Sequence, residues 1–418
     1  MKVVILNTSE HTGGAAVAAN RLLKALRKQG VEATMLVRDK SSQDPNVHSI
    51  NRTWFQQKVN LLRFLWERLV IFLCNRFSRS TLFQVSIANT GTDLSQHPLV
   101  QAADVIHLHW INQGFLSLHD LQKLVALDKP IVWTMHDMWP CTGICHHAYT
   151  CQRFTSHCHA CPFLLSKHLK DLAYRTFEQK RFIGLSNIHL VTVSHWLKQL
   201  AQQSALTKGL PTHVIPNVID TYLFVPSSRQ AARQQLNLPL NKKIIVMGAA
   251  RLNDPIKGIE YLQEALTILT QTEKECELLL FGGIKGDDSF LRRFPIPYYW
   301  LGLIHEPSRI TQLYAAADVT IVPSKYETFG QTIIEGMACG CPAVTFNNSG
   351  QTDIITHQQD GYLANYQDSA DLARGIEWVL NHPEPTKLRE TCIQKVKEHY
   401  SEEVIAGKYL SLYEQIKR

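Results

Sequence analysis

"SKYETFGQTIIEGMACGCP" occupies residues 324–342, and its reading decides the fold. An apolar strand pattern at 319–322 runs into it, and an apolar helical pattern at about 331–339 runs out of it. Glu327 sits in the strand-to-helix loop and Glu335 about one turn inside the helix, with seven residues between them. Gly330 lets backbone and ligand approach closely. The helix start near Gln331 and Thr332 offers unpaired N–H groups, which favour a phosphate. An ionised carboxylate beside a phosphate only accepts hydrogen bonds, so sugar or ribose hydroxyls are its natural partners. A strand delivering a helix through such a loop is the unit of a parallel sheet covered on both faces.

Just upstream, "GAARLNDPIKGIEYL" (248–262) places Arg251 at a strand's end and Lys257 at a helix's start. Two cations at the carboxyl end of a strand suit a diphosphate. Strand patterns at 242–251, 276–283, 298–304 and 342–347, with helices at 257–269 and 307–317, complete one set of units. The first half carries another set. Its strands are expected at 2–7, 31–38, 104–110, 130–137 and 188–194, with a helix from about Ala15 to Gln29 stopped by Gly30. The stretch "HVIPNVIDTYLFVP" (213–226) lies between the sets and reads as a hinge.

The expected architecture is therefore α/β: two Rossmann-like domains facing across a cleft. The boundaries read as 1–212 for an N-terminal domain, 213–400 for a C-terminal domain and 401–418 for a last helix. That last helix puts Ile405, Tyr409, Leu412, Tyr413 and Ile416 on one face. In such open sheets ligands collect at the carboxyl ends of the strands.

Composition agrees with this plan. A chain of 418 residues is too long for one ordinary core. Hydrophobic content of 45% and charged content of 19% exclude a disordered chain. A net charge of +7 leans toward phosphates, nucleotides or an acidic membrane surface, and is too weak to indicate nucleic acid. The opening "MKVVILNTSE" enters a strand at once, so no signal peptide is expected. No apolar run approaches the roughly 20 residues of a membrane span. A cytoplasmic protein follows, with thiols kept reduced.

The order of "RLNDPIKG", "VPSKYETFGQTIIEGMACGCP" and "NSGQTDII" resembles the retaining glycosyltransferases of the GT-B fold, glycosyltransferase family four. "TGGAAVAANRLLKAL" (12–26) resembles the family's first glycine-rich loop and helix, "VIPNVID" (214–220) its inter-domain motif, and the tail its last helix. The resemblance implies that 1–212 is the acceptor domain, 213–400 the donor domain, and that 401–418 packs back toward the first. The resemblance implies that Arg251 and Lys257 hold the donor diphosphate, that Glu335 binds ribose hydroxyls and that Glu327 contacts the transferred sugar. Phe329, Gly330 and Gln331 would offer backbone N–H groups. Gly13 and Gly14 would let the first domain's loop approach the diphosphate, and His136 would lie at the reacting centre. No DxD pair stands in place to hold a metal against the diphosphate, so no catalytic metal is expected. Ala250 replaces the family's usual glycine, and Gly350, Gln351, Thr352 and Asp353 replace its Gly-Gly-x-x-Glu.

In the acceptor half, His136 ends a strand and is followed by Asp137, a position suited to a role at the acceptor or sugar. His107 and His109 alternate and so share a face, as ligand contacts or as packed core histidines. Residues 52–79 hold six basic residues and one acidic one, with Asn60, Arg63 and Glu67 as a narrow polar strip on a wide apolar helix. This segment reads either as a helix lying on an anionic membrane surface beside a lipid-linked acceptor, or as one packed on the first domain with solvated arginines. "CTGICHHAYTCQRFTSHCHACP" (141–162) contains five cysteines. Cys145, Cys151, Cys158 and Cys161 form a candidate four-thiolate zinc set; unpaired thiols or a disulfide are the alternatives.

The expected function is transfer of a sugar from a nucleotide-diphosphate sugar to a sugar or lipid-linked acceptor, with retention, in surface polysaccharide biosynthesis. Two rivals are another GT-B enzyme such as a nucleotide-sugar epimerase, and an inactive zinc-stabilised binding protein. A nucleic-acid partner is not expected, because the cysteine loop lacks basic and aromatic interleaving.

Overall fold

The computed structural model describes residues 1–51, 53–166 and 168–417. The chain divides into two compact units: Met1–Pro216 with Ile405–Arg418, and Asn217–Val404.

The first unit is built on seven parallel strands: β1 Lys2–Ser9, β2 Glu32–Asp39, β3 Val47–Ser49, β4 Val105–Leu108, β5 Ile131–Met135, β6 Ile188–Thr192 and β7 Thr212–Val214. Their order is β3-β2-β1-β4-β5-β6-β7. β1 is central; Ile5 pairs with Met35 on one side and His107 on the other. Val3, Val4, Ile5 and Leu6 are all buried, which explains why the sequence reads as a continuous apolar run without alternation. Helix Gly14–Lys28 follows β1 directly, and Leu22, Leu23 and Leu26 are buried.

The second unit repeats the plan with six strands: β8 Lys243–Arg251, β9 Cys276–Gly283, β10 Tyr298–Trp300, β11 Val319–Val322, β12 Ala343–Phe346 and β13 Gly361–Ala364. The order is β10-β9-β8-β11-β12-β13, again all parallel. Leu278, Leu280, Ile321, Val344 and Phe346 form its core with Leu262 and Leu266 of helix Ile259–Leu269. Both orders reverse direction at the first strand of the set, the switch point where doubly wound sheets bind ligands. β3, β7 and β13 escape sequence reading: Val47–Ser49 is a short mixed run, Gly361–Ala364 opens on a glycine, and β7 overlaps the stretch read as a hinge.

The last helix, Glu402–Ile416, joins the first unit through its tyrosines. Tyr409 Oη lies 2.8 Å from Thr134 Oγ1 of β5, and Tyr413 Oη lies 2.7 Å from His107 Nδ1 of β4.

Helix Trp54–Cys74 corrects one expectation. It starts with a capping box, in which Thr53 and Gln56 exchange side-chain bonds with each other's backbone N–H. Its polar strip faces inward. Glu67 is fully buried, accepts from the N–H groups of Ile87 and Ala88 at 2.8 and 3.0 Å, and pairs with Arg68 at 3.0 Å. Arg68 also donates to the carbonyls of Leu82 and Val85. Arg68 is thus not a solvated arginine, nor can it reach a membrane surface. The apolar residues face outward: Trp54 is 70% exposed, Leu62 63% and Trp66 55%. Arg52, the first residue of the segment as read from sequence, lies outside the described residues. No helix among the described residues is long and apolar enough to cross a membrane.

Candidate donor and acceptor sites

In the second unit, β8 ends at Arg251 and β11 leads into the loop holding Glu327. A short turn, Pro255–Lys257, carries the lysine between them. Asp254 caps that turn by accepting from Ile256 N at 3.2 Å. Gly258 ends it in a left-handed conformation (φ 64°), where a Cβ would stand 2.0 Å from the carbonyl of Pro323. Lys325 N donates to Ile256 O at 2.8 Å. The turn is therefore pressed against the loop after β11, and Lys257 Nζ comes 2.5 Å from Glu327 Oε1. Ser324 Oγ donates to the same oxygen at 3.0 Å.

The backbone of Glu327 is held from the segment after β12. Glu327 N donates to Ser349 Oγ at 3.0 Å, and Gly350 N to Glu327 O at 2.8 Å. Gln351 is buried and donates to the carbonyls of Ser324 and Phe346. The residues that depart from the familiar pattern at 350–353 thus include a brace for Glu327. Gly330 (φ 121°) opens helix Gln331–Ala338, and a Cβ there would meet Ile333 Cδ1 at 2.9 Å. Phe329 and Glu335 are buried, the former edge-on to Tyr400. Arg251 remains partly exposed and pairs with Asp254. Arg251, Lys257 and Glu327 thereby gather at the carboxyl ends of β8 and β11, next to a helix N-terminus.

In the first unit, Gly13 (φ 91°) precedes helix Gly14–Lys28, with no atom within 4 Å of where its Cβ would lie. His136 follows β5, and its Nε2 lies 2.8 Å from His109 Nδ1. His107 Nε2 lies 2.8 Å from Thr134 Oγ1. His107 and His109 are buried, hydrogen-bonded histidines. Burial pushes His107 down to about 3, with the charge of His136 adding to it. Burial likewise pushes His136 down to about 4, against the pull of Asp137, and His109 well below the ordinary range. All three rings are neutral at neutral pH, so the His109–His136 contact is one N–H donating to one bare nitrogen. Asp137 serves a different set: its carboxylate accepts from Trp110 Nε1 at 2.9 Å and Trp139 N at 2.8 Å, and lies 2.7 Å from His146 Nδ1.

The cysteine segment holds free thiols, as do the chain's other cysteines. Burial raises Cys158 to about 11 and Cys161 to about 12, with Cys151 adding to both. Cys145 is raised too, by burial and then by Cys161, Cys158 and Cys151. These four thiols lie near enough to feel one another's charge. Among the described residues, however, no group of three or more His, Cys, Asp or Glu side chains is arranged to hold a metal ion. Cys141 stands apart, accepting from Thr207 Oγ1 at 3.5 Å. His146 and His157 are engaged by Asp137 and Glu178. Lys180, fully buried over Trp139, donates to the carbonyls of Trp139 and Thr142 beneath this segment.

Comparison with known families places both units. Residues 12–223 match the model described as Glycosyltransferase Family 4, and 228–399 the model described as Glycosyl transferases group 1. The chain belongs to glycosyltransferase family 4. Among individual relatives of this family 4 chain, a D-inositol 3-phosphate glycosyltransferase of Xylanimonas cellulosilytica is 31% identical over 171 residues, 37% of this chain and 40% of that protein. The N,N'-diacetylbacillosaminyl-diphospho-undecaprenol alpha-1,3-N-acetylgalactosaminyltransferase of Campylobacter jejuni is 28% identical over 202 residues, 46% of this chain and 51% of that one. The chain thus spans two fifths to half the length of these relatives. A sucrose-phosphate synthase from Thermosynechococcus elongatus superposes with a TM-score of 0.68 at 20% identity, covering 99% of this chain and 98% of its own. The fold is GT-B.

Two features of this family 4 chain were invisible to motif reading. The fully buried Glu10 ends the segment before the glycine loop and accepts from Ser41 N at 2.7 Å and Ser42 N at 2.9 Å. Burial pushes its pKa up, but bonds from Ser42 and Ser41 outweigh that and leave it lowered. Lys40, next to that serine pair, lines a pocket. The only sequence hint for Glu10 is an acid at the end of a buried strand run.

Proposed function

We propose that this chain transfers a sugar from a nucleotide-diphosphate sugar to a sugar or lipid-linked acceptor, with retention of anomeric configuration, in surface polysaccharide biosynthesis. The observation that carries the reading is the Lys257–Glu327 pair beside Arg251 and the N-terminus of helix Gln331–Ala338. Breaking a glycosyl–phosphate bond leaves positive charge on the sugar and sends the electron pair to the departing diphosphate. Lys257 and Arg251 would meet that departing charge, without a divalent cation. Glu327 would accept from sugar hydroxyls and Glu335 from the ribose. Phe329, Gly330 and Gln331 would contribute backbone N–H groups, while Gly13 and Gly14 would leave room for the diphosphate. His136 would meet the acceptor or the sugar.

The acceptor class draws support from the Campylobacter jejuni relative, whose name places its sugar on a lipid-linked diphosphate. The outward apolar face of helix Trp54–Cys74 supports a peripheral position on a membrane's cytoplasmic face. Lys58, Arg76 and Arg79, all exposed, are the cations available to anionic lipid. A structural zinc ion at Cys145, Cys151, Cys158 and Cys161 belongs to the same reading. Four coupled thiols fit the donor chemistry of zinc, and their sulfurs would have to draw together to hold it. The ion would brace the loop behind His136.

The test is product analysis. Nucleotide sugars are incubated with polyprenyl-phosphate-linked and free sugar acceptors. A new glycoside with the donor's anomeric configuration supports the reading, and an epimerised donor with free nucleotide sinks it.

A further inference from the structure

A pocket of about 680 Å³ lies at the carboxyl ends of β2 and β3, lined in part by Arg38, Lys40, Ser42, Asn51, Gln57 and Leu61. Hydrogen bonds tie part of its polar lining together. Asn51 Nδ2 donates to Arg38 O at 2.9 Å, and Asn60 Nδ2 to Asn51 Oδ1 at 2.6 Å. The two cations among its described lining residues differ. Arg38 is neutralised by Asp39, with Nε and a terminal nitrogen at 2.9 and 2.6 Å from the two carboxylate oxygens. Lys40 Nζ donates to two main-chain carbonyls, Asp44 O and Val47 O, each at 2.8 Å, and no carboxylate among the described residues meets its charge. An ammonium has three donors, so one remains for a ligand anion.

The pocket wall and the exposed apolar face belong to the same helix. Gln57, Asn60, Leu61 and Phe64 line the pocket, and Leu61 is itself 48% exposed. Leu62, Leu65, Trp66 and Leu69 continue outward from it, between 44% and 63% exposed. A contiguous apolar face of this kind marks an interaction surface. A polar pocket with one unmatched positive charge, opening onto an apolar ridge, has the shape of a site for an amphiphile. Glu10 ties the pocket's Ser41–Ser42 edge to the strand end that delivers the glycine loop.

We infer that this pocket binds the phosphate-bearing sugar end of a lipid-linked acceptor, with Lys40 on the phosphate and the lipid chain along the Leu61–Leu69 face. The inference rests on the proposed transfer reaction for its biological meaning, but its binding test is independent of it. The probe is dodecyl phosphate in phosphatidylcholine vesicles, compared with vesicles matched in charge by phosphatidylglycerol. Wild-type protein should bind the dodecyl phosphate vesicles about tenfold more tightly, the scale of one charge-assisted hydrogen bond. Lys40→Gln should erase that preference and keep the binding to phosphatidylglycerol. Gln57→Trp, which fills the pocket from an exposed position and leaves Lys40 intact, should erase it as well. Leu62→Glu with Trp66→Glu should weaken binding to both vesicles. A preference that survives both pocket variants, or none in the wild type, overturns the site. Competition by inorganic phosphate as strong as by dodecyl phosphate would assign the pocket to a soluble phosphate compound and overturn the lipid chain's role. Nucleotide-sugar binding, measured on the same samples by thermal unfolding, should be unchanged by Lys40→Gln. Its absence in wild type would count against the transfer reading alone.

Discussion

Lys257 Nζ and Glu327 Oε1 stand 2.5 Å apart although 70 residues separate them in the chain. Their positions in the motifs suit one to a diphosphate and the other to a sugar, yet the two side chains are each other's partners. The pair keeps a cation and an acceptor in place, and a bound diphosphate would compete for the lysine. Lys257→Ala should weaken binding of a nucleotide diphosphate by about tenfold or more, since a charged hydrogen bond is lost. Glu327→Gln should leave nucleotide affinity within about threefold, because the lysine stays, while transfer falls by about a hundredfold. Calorimetric titration and single-turnover assays separate the two effects. Equal losses in both variants would contradict this division of roles.

Gly258 is the hinge of that arrangement. Its left-handed φ and the 2.0 Å approach of Pro323 O leave no room for a side chain. Gly258→Ala should cost about 1–3 kcal/mol of stability and weaken nucleotide binding, read by denaturant unfolding and titration. Unchanged affinity would show that the turn does not place Lys257.

His109 positions His136 through a 2.8 Å contact and a stacked ring contact between neutral rings. His109→Phe should lower the turnover number about tenfold to a hundredfold, with the donor KM little changed. If donor KM rises in step while turnover holds, His136 serves donor binding instead.

The same histidines set a pH dependence. His107 and His136 lie at about 3 and 4 in the folded chain, against about 6.5 when unfolded. Between those values the unfolded chain binds more protons. Their contribution to stability is therefore complete above pH 6.5 and is lost as pH falls toward 4. Asp137, held at about 2 because His146 and backbone bonds outweigh its burial, adds nothing to the slope until pH drops below about 4. Urea unfolding at stepped pH should show stability declining from 6.5 downward, with a shallower decline in a His107→Asn variant. A flat profile would contradict the burial of these rings.

The cysteine segment gives a further check. Elemental analysis of protein purified without chelator should find one zinc per chain, lost in Cys158→Ser with Cys161→Ser. Chelation should reduce stability before it reduces nucleotide binding. Absence of zinc would leave four reduced thiols as the whole account.

What the sequence discloses, and what it hides, follows from range. Long strands such as β1 and β9 are legible because burial on both faces writes an uninterrupted apolar run. The short edge strand β3 writes nothing, whereas β10, equally short, is marked by Tyr298, Tyr299 and Trp300. Helix Trp54–Cys74 shows its polar strip plainly, but not which side is covered. That depends on Glu67 finding the N–H groups of Ile87 and Ala88, groups that no side-chain pattern displays. The donor residues are legible as types at the ends of strands. Their pairing is not, because it depends on Gly258 folding a turn against Pro323. Glu10 and Lys40 lie outside any motif and emerge only once Ser41 and Ser42 are seen to close on the end of β1.

The central claim is that Lys257, Arg251 and Glu327 form a nucleotide-sugar site. It is tested most directly by thermal unfolding of wild-type and Lys257→Ala protein across a panel of uridine, guanosine and adenosine diphosphate sugars. At a concentration about 100-fold above Kd, one of them should add about 2.7 kcal/mol to wild-type stability, and Lys257→Ala should lose most of that gain. No stabilisation by any of them, or equal stabilisation of both proteins, would contradict it.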